Sequence, residues 1–108
     1  YGAPKTLKEW AKIQKRLETG KEDELKLALI EAETLLDEAL KNAGFAGENI
    51  AERIKQTDVN VLPNLEQVLQ AHKIRNSIVF DADYKLSPET AKAALEIYRQ
   101  ALTNLKEF

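Results

Sequence analysis

The chain has no cysteine, no methionine, one histidine, four glycines and three prolines in 108 residues. Each scarcity excludes something. Without Cys there is no disulfide framework, no thiolate metal site and no cysteine nucleophile. A single His rules out a site built on several imidazoles. Four Gly and three Pro are too few for a turn-rich all-β chain. No uncharged apolar run approaches the ~20 residues needed to span a bilayer, and no signal peptide is visible. The lack of Met, with Tyr1 leading, points to an excised or processed piece of a longer chain.

What is present is helix composition. Leu, Ala, Glu and Lys dominate, and these are strong helix formers. A chain of this length supports one domain with a real core, and not comfortably two. The net charge is -2, from 16 basic and 18 acidic residues. That argues against a dedicated nucleic-acid binder, which carries a basic excess. The charge is uneven. Residues 1–20 carry five Lys/Arg against two Glu, and residues 21–57 carry five against nine. The basic start reads as a solvated helix face, with anionic lipid or RNA as the functional alternative.

Periodicity places five helices at about 6–19, 21–43, 48–56, 63–80 and 87–106, after a disordered lead over 1–5. Thr6 with Glu9 forms a capping box pattern. Leu7, Trp10, Ile13 and Leu17 give the first apolar stripe. The second helix opens on Glu22-Asp23-Glu24, where the dipole favours acids. Its stripe runs through Leu25, Ala28, Leu29, Ala32, Leu35, Leu36, Ala39, Leu40 and Ala43, wide enough for two neighbours. Gly20 and Gly44 suit the left-handed position past a helix end, and Phe45 is expected to fold back on the core. Pro63 suits a first helical position. Leu65, Val68, Leu69, His72, Asn76 and Val79 are expected near one face of the fourth helix. Ser87-Pro88-Glu89 is a strong start signal for the last. The expected architecture is all-α: an up-and-down four-helix bundle with one extra short helix, a single domain over 6–108.

One segment carries unusual chemistry. His72, Arg75 and Asn76 fall at i, i+3 and i+4, so they share a helix face. Polar groups in line with core residues need partners or a function. Arg75 and Asn76 together suit a phosphate, a carboxylate or exposed carbonyls. They are the candidate anion-binding pair. The structural alternative has them capping the helix and tying down the 81–86 loop through Asp81 or Asp83. Trp10 and Phe80 are core or interface candidates, with core burial the default for Phe80. His72 reads as a satisfied interior or interface histidine. No Glu-x-x-His pair, phosphate loop or Ser/His/Asp set is present. No metal and no cofactor is expected, and Glu31, Asp37 and Glu38 do not complete a metal site.

The Arg75-Asn76 pair near the end of a bundle helix, with a short polar loop and a Ser-capped final helix after it, resembles the HEPN superfamily. The resemblance runs from about Trp10 to Leu105. It includes Leu35-Leu36-Asp37 with Ala39-Leu40, and the Gly44-Phe45-Ala46-Gly47 connector. It implies a helical, often dimeric domain, many relatives being metal-independent ribonucleases. In that family an Arg and a polar residue are followed by a His, with four to six residues between the Arg and the His. Here those slots hold Phe80, Asp81 and Ala82; none is His, and Phe cannot transfer a proton. The expected function is therefore a non-catalytic interaction or dimerisation domain with a homodimer or protein partner. The resemblance further implies the cytosolic part of a larger, membrane-anchored bacterial protein, with no membrane insertion of this segment. The second reading is an RNA-binding or diverged ribonuclease domain using Arg75, Asn76 and His72.

Overall fold

A computed structural model describes residues 3–108. Five helices follow in order: α1 (Ala3–Glu18), α2 (Glu22–Asn42), α3 (Ile50–Lys55), α4 (Leu65–Phe80) and α5 (Pro88–Asn104). There is no strand among the described residues. The chain is an all-α bundle of four long helices with short α3 inserted between α2 and α4. Its radius of gyration is 13.1 Å, the value expected of one compact unit of this length.

The order of the helices follows from which faces are apolar. α1 packs on α2, α2 on α4, α4 on α5 and α5 on α1, closing a ring. α2 and α5 also pack across the middle, and they separate α1 from α4. Small residues on this diagonal permit the close approach. Ala28, Ala32, Ala39, Ala91, Ala94 and Ala101 are all buried. Leu29, Leu36, Leu40, Tyr98 and Leu102 fill the space between them.

Local signals set the helix ends. Beyond α2, Gly44 takes φ 95°. Its N–H bonds to Lys41 O, and Phe45 N–H bonds to Leu40 O, both at 3.0 Å. This is a Schellman stop, and Phe45 packs on the core as its apolar partner. Ser87 caps α5 by accepting from Thr90 N–H, with Pro88 behind it. Asn49 caps α3 by accepting from Glu52 N–H. Gly47 is needed for close approach. A Cβ there would lie 2.8 Å from Glu52 Cβ and 2.9 Å from Arg53 N. The Arg53 guanidinium donates to the Gly47 carbonyl and pairs with Asp37 on α2, which seats α3.

Four expectations are corrected. α1 begins at Ala3, so residues 3–5 are helical and Thr6 is not a cap. Tyr1 and Gly2 lie outside the described residues. Thr6 is buried, and its hydroxyl donates to Glu107 at 3.0 Å. Second, α4 starts two residues after Pro63, with Asn64 as its cap position. Buried Asn64 donates to Ile97 O at 3.1 Å and joins α4 to α5. Third, α5 ends at Asn104, not 106. Lys106 takes the left-handed place usually given to Gly, at φ 62°, and a second Schellman pair closes on Leu102 and Thr103. That turn carries Phe108 onto Trp10, ring centroids 5.7 Å apart and edge to face. Fourth, α4 buries Val68 and Ala71 completely and leans on Ile74 and Ile78, whereas Val79 is exposed. On α2, Leu35 is only partly covered and Ala43 lies at the surface.

Candidate functional site: a buried glutamate and the α4 polar face

His72, Arg75 and Asn76 do converge, and what gathers them is Glu33 on α2. This carboxylate is 2% exposed. Its Oε1 accepts from the Tyr98 hydroxyl of α5 at 2.9 Å and contacts His72 Nδ1 at 2.8 Å. Its Oε2 lies 2.8 Å from Arg75 Nε. That last contact is an ion pair held by charge, since the Nε–H is not aligned on the oxygen. A buried charge is tolerated only when paired and hydrogen-bonded. Glu33 meets that condition through three side chains from two other helices.

The same face assigns a tautomer to His72. Arg75 Nη1 donates to Asn76 Oδ1 at 3.0 Å. A guanidinium only donates, so this oxygen must be the acceptor, and the amide nitrogen faces His72 Nε2 at 3.3 Å. Nε2 then accepts, and Nδ1 carries the hydrogen that points to Glu33. The amide orientation is thus assigned by the network. Both ring nitrogens are engaged.

Burial pushes the Tyr98 hydroxyl far above its ordinary ionisation range, and the negative Glu33 beside it adds to the effect. Tyr98 is fully buried. It serves as a fixed donor to Glu33 through the neutral range and above it.

Outside this network lies a cleft of about 480 Å³ between α2, α3 and α4. Glu33, His72, Arg75 and Asn76 line its inner side, Asp37, Asn49 and Ile50 its walls, and Phe80 its mouth. The hydroxyl among the lining residues, Thr34, donates to Ile30 O at 3.0 Å. Among the described residues, no group of three His, Cys, Asp or Glu side chains is placed to hold a metal ion.

The structure relocates several candidates. Arg75 and Asn76 do not tie down the 81–86 loop. Asp81 instead accepts from Asp83 N–H at 3.0 Å, and the polar pair turns inward to Glu33. Phe80 is not core: it is 80% exposed. Trp10 is core, 7% exposed. Glu31 binds Arg16, which also holds Glu24, clamping α1 to α2. Sequence reasoning assigned no role to Glu33 or to Tyr98. The signal was present. Glu33 falls four residues after Leu29 and three before Leu36, an acid inside an apolar stripe.

No helix among the described residues is long and apolar enough to cross a membrane. Compared with protein-family models, curated proteins and solved structures, the chain matches none of them.

Proposed function

We propose that the chain is a non-catalytic, HEPN-like interaction domain that pairs with a second copy of itself through the end of α4. The carrying observation is Phe80, 80% exposed beside Val79 at 46%, at the mouth of the cleft. Phe80 and Val79 together form a contiguous apolar patch beside a recess, and such a patch fits a contact surface. The arrangement suits an isologous pair, in which each Phe80 enters the cleft of the other copy. Ile50 and Ala51 supply apolar wall for the ring.

The polar face behind Phe80 supports a binding role over a chemical one. Glu33, His72, Arg75, Asn76 and Tyr98 are engaged with one another, Glu33 and Arg75 through charge. A general acid or base needs a proton path to substrate, and both nitrogens of His72 are occupied. The resemblance of Arg75-Asn76 to the HEPN pair, with Phe80 in a slot where that family places His, supports the same reading. So does its implied cytosolic setting in a larger bacterial protein.

Sedimentation velocity over a concentration series tests it. A dimer is expected at high micromolar concentration, with Phe80→Ala returning the chain to monomer without loss of helix. A strict monomer at every concentration overturns the reading. A ribonuclease reading would win instead if labelled single-stranded RNA were cleaved and Asn76→Ala, still helical by circular dichroism, abolished the cleavage.

A further inference from the structure

The outer face of α1 takes no part in the site above. Lys5, Lys8, Lys12 and Lys15 recur at three and four residues along it, so they form one ridge. The span from the first to the last is about 15 Å of helix. All four are exposed. Lys12 makes a loose pair with Glu9 at 3.6 Å, both side chains open to water. Among the described residues, Lys5, Lys8 and Lys15 have no carboxylate within ion-pair distance. The fifth cation of α1, Arg16, is different. It lies on the inner flank and is consumed by Glu24 and Glu31. The ridge is therefore a local surplus of positive charge on a chain whose net charge is -2.

We infer that this ridge is a docking face for an anionic phospholipid surface. Two features favour lipid over the phosphates of a nucleic acid. The cations of the ridge are all lysine, with Glu9 pairing one of them, and an ammonium is a point charge that suits a diffuse array of headgroups. It has none of the aromatic or Arg planes on which bases stack. Exposed Ala11 lies beside Lys8 and Lys15, and Leu7, 53% exposed, lies on the flank of α1. The lysine stems can lie along the headgroup boundary while the ammonium groups stay in water. The helix lies flat on the bundle, so it would meet the surface lengthwise without leaving α2 and α5.

The test is co-sedimentation with vesicles of phosphatidylcholine containing one third phosphatidylglycerol, against vesicles of phosphatidylcholine alone. Binding is expected to the anionic vesicles at low salt. It should disappear at about 1 M salt, where the screening length falls to about 3 Å. Each lysine removed should weaken partitioning about fivefold, so Lys8→Gln with Lys15→Gln should lower it about twenty-five-fold. These side chains are exposed, so circular dichroism should show an unchanged fold. Equal binding to neutral vesicles, no binding at low salt, or binding that survives the double substitution overturns the inference. So does tighter binding to a single-stranded homopolymer RNA than to vesicles of equal anionic charge.

Discussion

The Tyr98 hydroxyl donates to Glu33 Oε1 at 2.9 Å, across 65 residues of sequence and within the buried α2–α5 contact. This bond joins the apolar centre of the bundle to its polar face. Tyr98 is held among leucines and alanines, and Glu33 extends the line outward to His72 and Arg75. The core thus carries a carboxylate whose partners come from α4 and α5.

Removing a partner should expose how much the fold depends on it. Arg75→Ala leaves Glu33 buried without its cation. Losing one member of a buried pair costs about 3–5 kcal/mol. Arg75 is 29% exposed at its side chain, so water offsets part, and we expect about 2–3 kcal/mol. For a domain of this size that lowers Tm by roughly 10 °C. Thermal denaturation followed by circular dichroism checks it. Glu33→Gln combined with Arg75→Ala should cost less than the two single effects added, because neither group is then left orphaned. An unchanged Tm for Arg75→Ala contradicts the structural role.

Tyr98 should make stability fall at high pH. Its folded-state ionisation lies far above that of a free phenol. Above about pH 10 the unfolded chain releases this proton and the native chain keeps it. The unfolded state then binds fewer protons, and stability declines by about 1.4 kcal/mol per pH unit from this group alone. The contribution is fully present below pH 10. Denaturant midpoints measured across the alkaline range should show this slope, and Tyr98→Phe should remove it. The same substitution should cost about 1.5–3 kcal/mol at neutral pH, the worth of a hydrogen bond to a charged group.

Phe80 should behave oppositely. With most of its ring in water, Phe80→Ala should change stability by no more than about 0.5 kcal/mol. Its effect should appear in self-association alone. A large drop in chemical stability at low micromolar concentration would show that the ring is packed within its own chain.

Lys106→Gly should stabilise the chain. A non-glycine residue in the left-handed region costs about 1 kcal/mol, and Lys106 sits there at φ 62°. Part of that gain is returned to the unfolded chain as entropy. A rise in Tm of a few degrees is expected, with the Thr6–Glu107 bond and the Trp10–Phe108 contact retained. Trp10 fluorescence monitors the latter.

Much of the secondary structure was legible for local reasons. Gly44 followed by Phe45, and Ser87 followed by Pro88, are stop and start signals whose partners lie within a few residues. The shared face of His72, Arg75 and Asn76 was equally readable, because it depends only on helical spacing. Thr6 misled because its hydroxyl serves a partner 101 residues away, which no local pattern reveals. Pro63 misled because Asn64, tied to Ile97 O, takes the start of α4. The partner of Arg75 was misplaced for the same reason. Asp81 and Asp83 are near in sequence, whereas Glu33 is near only once α2 and α4 are packed.

Composition and periodicity alone determined that the chain is all-helical, where its helices fall, and which polar residues share the α4 face. These properties follow from backbone geometry and from the 3.6-residue repeat, so one chain suffices to read them. Only the tertiary structure decided the ring order of the helices, the burial of Glu33 among Tyr98, His72 and Arg75, and the exposure of Phe80. Those outcomes depend on which apolar faces meet and how closely alanines let α2 and α5 approach. The scarcity of histidine shows the difference. The sequence places the lone His72 before Arg75, and the packed bundle holds it between Glu33 and Asn76.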